Sequence, residues 1–202
     1  MVGSVPPVTA VPLPRRPLDT ARSAGPAEPA DAVRDWYENE LGWATVPGAP
    51  VRLSVGERFD VLDVPAEAGH AALGRLAPKS PVAVRGARMR LLVAAGSAEE
   101  LPGILQWLEW GALPLDLRAI GTGGLMEAPL PPGPRRAGPV QGAAVWLRPP
   151  EAGCEAEASL PTMSALGGAG RAPDLVRLVD TLATQVHRLR LRRGCAQPLA
   201  AS

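Results

Sequence analysis

An α+β domain, with a central mostly antiparallel sheet flanked by helices, is the fold class that the sequence predicts. Short apolar runs of strand length are interspersed with segments of helical periodicity. Two connections, Arg85-Gly86-Ala87 and Gly121 to Gly124, are short enough to turn a strand straight back on itself. The chain has 202 residues, 46% of them apolar, which is enough to bury a sizeable core.

The elements follow in order. Residues 1–28 are rich in Pro, Ala, Ser and Val without periodicity, and Pro6, Pro7, Pro12, Pro14, Pro17 and Pro26 deny them regular hydrogen bonding. A disordered Pro-rich tail is expected there, with the folded domain spanning 29–194. From Asp31, an N-cap residue, Val33, Trp36, Tyr37 and Leu41 recur at helical spacing and Gly42 offers a stop. WATV (43–46), VRLSV and FDVLDV (59–64) read as strands, and AEAGHAALGRL (66–76) as a helix despite Gly69 and Gly74. PVAV (81–84) and RMRLLVAA (88–95) form a strand pair, and Ser97 caps a helix through Trp110 with Glu99 and Glu100 in its first turn. Trp107 and Trp110, three apart, would share a face of that helix and pack in the core. LPLDLRAI (113–120) alternates like a strand, LMEA (125–128) would return antiparallel to it, and AAVWLR (143–148) is the last strand. The loop 129–139 has too many prolines for regular structure. Over 174–193, Leu175, Val176, Leu178, Val179, Leu182, Ala183, Val186 and Leu189 make one apolar stripe, with Gly194 expected to end the helix and 195–202 a flexible C-terminus.

Composition narrows the function. Twenty-one basic residues meet 20 acidic ones for a net charge of +1, which excludes nucleic-acid binding through bulk charge and leaves only local basic surfaces. Basic charge is almost all arginine, Lys79 being the single lysine. Aromatics are 3% of the chain, so the core is expected to be Leu, Val and Ala. Cys154 and Cys195 are far apart with no ligand-spaced partner, against both a zinc site and a disulfide framework. No uncharged apolar run approaches the ~18 residues that span a bilayer, so a cytoplasmic protein with no membrane partner is expected.

From residue 36 to 150 the order of features resembles the N-terminal domain of bifunctional DNA primase/polymerases, the prim-pol branch of the archaeo-eukaryotic primases. The resemblance rests on LGWATVPG, VLDVPAEAGHAALGRL (61–76), VRGARMRLLVA (84–94), LDLRAIGTGGLMEAPLPPGP (115–134) and WLRPP (146–150), in that order. It implies a two-metal nucleotidyl-transfer site in which carboxylates hold divalent cations. By the resemblance Asp63 and Asp116 stand at two carboxylate positions as catalytic and metal residues. Pro65 stands where the second member of an Asp-x-Asp pair belongs, and Met89 where a histidine contacts phosphates. The site is therefore expected to be degenerate, holding Mg or Mn weakly.

Asp60 lies three residues from Asp63, on the opposite face of a regular strand, so it substitutes for the absent carboxylate only across a bulge. Glu127 is the other replacement candidate. Gly123 and Gly124, with Arg118 nearby, could cradle a phosphate, but no helix follows and a tight turn explains them equally. His70 reads as a surface histidine and His187, among arginines, as solvated. Arg188, Arg190, Arg192 and Arg193 crowd the end of the last helix, where they suit its dipole and could also meet nucleic-acid phosphates. The expected function is nucleotide or nucleic-acid binding, or regulation in a DNA-related setting, by a prim-pol-like domain that no longer polymerises. The alternatives are an active enzyme with a rearranged metal site, or a module binding a protein partner through its Pro-rich tail or C-terminal helix.

Overall fold

The computed structural model describes residues 29–132, 142–151, 156–163 and 174–195. The Pro-rich tail, residues 133–141 of the proline loop and the C-terminal 196–202 lie outside the described residues. Among those described, the chain is a mixed α+β fold of two antiparallel sheets with helices packed on both sides of the larger one.

In the larger sheet β3 (Phe59–Pro65) is an interior strand whose side chains go to both faces. Phe59 and Val61 enter one core, and Leu62 and Val64 the other. That double burial is why its sequence reads as a near-continuous apolar run. It pairs antiparallel with β5 (Arg88–Ala94) and β6 (Arg118–Ile120). With β4 (Val82–Arg85) and β8 (Val145–Arg148) the order is β6-β3-β5-β4-β8. The tight turn at Gly86, where φ is +54°, joins β4 and β5 as the sequence predicts.

One face of this sheet is covered by α2 (Ala66–Ala72, then a 3-10 turn to Arg75), α3 (Ser97–Trp107) and α4 (Leu175–Cys195). Leu62, Val64, Leu91 and Val93 of the strands meet Leu101 and Ile104 of α3 and Leu175, Leu178, Val179 and Leu182 of α4. The α4 stripe is the one read from the sequence, but Gly194 does not end the helix, which runs on to Cys195. α2 lies so close to β5 that a Cβ on Gly69 would sit 2.3 Å from the Met89 Sδ.

The other face is covered by a second sheet of β1 (Thr45–Val46), β2 (Arg52–Ser54) and β7 (Leu125–Glu127), together with the first helix. Three helices therefore cover one face, and the first helix shares the other with the small sheet. That helix, α1 (Pro29–Asp35), continues as a π-helical turn over Trp36–Glu40 that brings Tyr37 fully inside. Its hydroxyl donates to the Pro129 carbonyl at 2.7 Å and accepts from the Trp146 indole at 2.9 Å. Trp36, Tyr37, Trp43, Phe59 and Trp146 form a chain of stacked, tilted and edge-on rings, so this second core sets an aromatic cluster among aliphatic residues, unlike the aliphatic core under the helices.

Three expectations need correction. Residues 113–117 are not strand, and only Arg118–Ile120 pairs. LMEA does return antiparallel, but onto β2 in the small sheet and not onto β6. The cause is the close approach of two turns: Gly56, with φ +106°, lets the Gly121–Gly124 turn come in until Val55 N–H reaches the Gly124 carbonyl at 3.0 Å. Finally, α3 stops at Trp107, and Glu109 at φ +64° swings the chain away. Trp107 is 74% exposed, while the Trp110 indole donates to Asp180 on α4, so the two do not share a face.

Candidate functional site

Alternation along the central strands sorts the site residues. On the face that carries the aromatic core, Asp63 follows Phe59 and Val61 along β3, and Arg90 and Arg88 follow Leu92 along β5. Register puts Arg118, Asp63 and Arg90 side by side on three adjacent strands, with Pro65 opposite Arg88.

The bonds are specific. Arg88 donates through Nε to Asp63 Oδ1 at 2.6 Å, through Nη2 to the Asp63 backbone carbonyl at 3.0 Å, and through Nη1 to Asp116 Oδ2 at 2.7 Å. Arg90 Nε donates to the second Asp63 oxygen at 3.1 Å. The two carboxylates taken from the resemblance are thus brought together, with a guanidinium between them. Asp63 and Asp116 hold the Arg88 pKa above its ordinary value, against the opposing effect of burial. Arg90 Nη1 is buried without an acceptor, and Arg118 is exposed without an ion pair among the described residues.

The other candidates fall elsewhere. Met89 is fully buried on the opposite face of β5, beneath Gly69, so it cannot stand at a phosphate-contact position next to Asp63. A histidine there would point into the helix-side core. Glu127 pairs with Arg85, the ladder partner of Arg88, at 2.9 Å and accepts from Ala144 N–H. Gly123 and Gly124 belong to the turn closed by Gly124 N–H and the Gly121 carbonyl at 2.8 Å. His70 is exposed on α2 as expected, whereas His187 packs against the Trp110 ring with its Nδ1 buried and unpartnered among the described residues. Arg190 donates to the Pro114 carbonyl at 3.2 Å and Arg192 meets Glu67 at 3.5 Å. Among the described residues no three His, Cys, Asp or Glu side chains converge to hold a metal ion.

Sequence reasoning missed Arg88 and Arg90. Their signal was RMRLL itself: arginines two apart on a strand share a face, and that face is the one carrying Asp63.

Asp60 lies on the helix-side face, fully buried, accepting the Ala98 N–H at 2.8 Å. It caps α3 from a neighbouring strand, in place of the Ser97 cap read from the sequence. Burial pushes its pKa up; the Ala98 amide opposes this, the nearby Glu99 charge adds to it, and the Gly96 and Ser97 amides oppose it. The folded chain then holds this proton more firmly than the unfolded one, so the contribution of Asp60 to stability falls as pH rises from about 4, its unfolded value. Thermal melts of the natural chain and Asp60→Asn should therefore diverge in favour of the variant as pH rises through the folded pKa. A gap that closes with rising pH would contradict this.

The chain matches no family model, no curated protein and no solved structure. No helix among the described residues is long and apolar enough to cross a membrane.

Proposed function

We propose that this chain is a prim-pol-like domain in which an arginine occupies the place of the metal, and that it binds the phosphates of nucleotides or nucleic acid without transferring them. The observation that carries this reading is the Arg88 guanidinium held between Asp63 and Asp116. Both Asp63 oxygens are taken by arginines, and Pro65 offers no donor. This set does not fit a divalent cation, which needs several free oxygen ligands. It does fit phosphate. Arg85, Arg88, Arg90 and Arg118 stand on adjacent strands against Asp63, Asp116 and Glu127, leaving one positive charge in excess. Arg118, exposed and without an ion pair among the described residues, is the donor open to a phosphate.

Two titrations test it. The natural chain should bind inorganic tripolyphosphate but give no heat with Mn²⁺ and no nucleotide incorporation on a primed template. Arg88→Ala, by freeing Asp63 and Asp116, should gain measurable Mn²⁺ binding. Incorporation by the natural chain that disappears in Asp63→Ala would instead establish a working metal enzyme.

A further inference from the structure

α4 packs on the helix-covered face of the large sheet, whereas Arg88 stands on the other face, so the end of α4 is a separate surface. His187, Leu191 and Gly194 follow one another there at spacings of four and three, which puts them on one side of the helix. With Leu113 they wall a surface groove of about 640 Å³, rimmed by Arg190 and Arg193. Leu191 is 55% exposed and Leu113 38%, so the groove is apolar and open to water. A Cβ on Gly194 would meet nothing within 4 Å, which leaves that end unobstructed.

Both walls are held in place. His187 packs against the Trp110 ring, whose indole donates to Asp180 at 3.1 Å. Leu113 N–H donates to the Trp110 carbonyl at 3.0 Å, and Arg190 pins the same loop by donating to the Pro114 carbonyl at 3.2 Å. The groove is formed before any occupant arrives, which lowers the cost of binding.

Charge selects the occupant. Residues 187–195 carry four arginines and no acidic residue, whereas the end of a helix offers them only about half a negative charge. Arg192 meets Glu67, but Arg188, Arg190 and Arg193 have no ion pair among the described residues. The occupant is therefore acidic. Shape narrows it further, since a groove open on one side buries one face of what it holds, and a small ligand needs most of its surface covered. An extended peptide needs a free strand edge, and the backbone groups of α4 are already bonded within the helix. A helix brings its own backbone bonds and presents an apolar stripe between charged flanks.

We propose that this groove docks an acidic amphipathic helix of a protein partner, with apolar side chains of that helix on Leu113 and Leu191 and its carboxylates on Arg190 and Arg193. This interaction is distinct from phosphate binding at Arg88 and does not depend on it.

The probe is a labelled synthetic peptide of about 14 residues, near the shortest length that holds a helix in water, with leucines along one face and glutamates elsewhere. Fluorescence anisotropy should show binding that weakens with salt. Exposed Cys195 lines the groove, so saturating peptide should slow its alkylation by iodoacetamide, read by peptide mapping. Leu191→Ser, at an exposed position where folding is not at risk, should weaken the peptide about tenfold with its salt dependence intact. Arg193→Glu should weaken it about tenfold at low salt and little at high salt. Tripolyphosphate should neither displace the peptide nor protect Cys195. Equal binding of a peptide with lysines for glutamates or with scrambled leucines, no effect of Leu191→Ser, or protection of Cys195 by oligothymidylate or anionic lipid vesicles and not by the peptide would each overturn the proposal. The Arg88 reading stands or falls separately, with the tripolyphosphate titration.

Discussion

Replacing Gly56 with alanine should destabilise the fold by about 2–5 kcal/mol. Its φ of +106° is strained for any L side chain, and the added Cβ would lie 2.2 Å from the Thr122 Cα and 2.6 Å from the Thr122 nitrogen. The obstacle is backbone, so no rotamer change relieves it. The position matters because the chain passes from the small sheet to the large one between Ser54 and Phe59, and back again between Ile120 and Leu125. These two crossings touch at Gly56 and Thr122, and forcing them apart separates the sheets. Gly123, with φ +75° but open space around its Cβ, is the control. Gly123→Ala should cost about 1 kcal/mol, the backbone strain alone. Denaturant midpoints would show it, and equal losses at the two glycines would mean that the Thr122 contact is unimportant.

Asp63→Ala should cost about 2–4 kcal/mol, the lower part of the range for breaking buried pairs because Arg88 stays 30% exposed. The loss comes from what is left behind. Arg90, only 13% exposed and already lacking an acceptor at Nη1, would lose its one carboxylate, and Arg88 would keep only Asp116 and the backbone carbonyl of residue 63. A metal-binding carboxylate behaves oppositely, since mutual repulsion among unfilled acidic ligands is relieved when one is removed. Chemical denaturation of Asp63→Ala in metal-free buffer thus separates an arginine-centred pairing from an empty cation site. A variant as stable as the natural chain, or more so, would favour the latter.

The parts of the fold read correctly from sequence are those in which one residue pattern dominates. The α4 stripe from Leu175 to Leu189 and the apolar β3 and β5 runs needed no tertiary information, because burial of one stripe or of both faces leaves a periodic mark. Residues 113–117 alternate in the same way, yet Leu115 and Leu117 are drawn to the helix-side core and Pro114 is held by Arg190, so alternation there reflects packing of a loop. The partner of β7 was not legible either, since it depends on Gly56 meeting Thr122 across 66 residues of sequence. At the site, Asp63 and Asp116 were found through the resemblance. Register then explains why Met89 was assigned wrongly and Arg88 overlooked: shifting the assignment by one residue along β5 exchanges one face for the other.

The second sheet is built from strands of two and three residues, and that shortness has its own consequence. It roofs the β3–β5 pair over Phe59, Val61 and Leu92 but stops before Asp63, Arg88 and Arg90. The boundary between dry interior and charged surface therefore crosses β3 between Val61 and Asp63, set by where the roof ends and not by any change in the strand beneath. Lengthening β2 and β7 toward the guanidiniums would cover Arg88, which is 30% exposed, and change Arg90, already only 13% exposed, much less. Insertions and deletions at the ends of these short strands would thus widen or close the charged area while leaving the main sheet as it is.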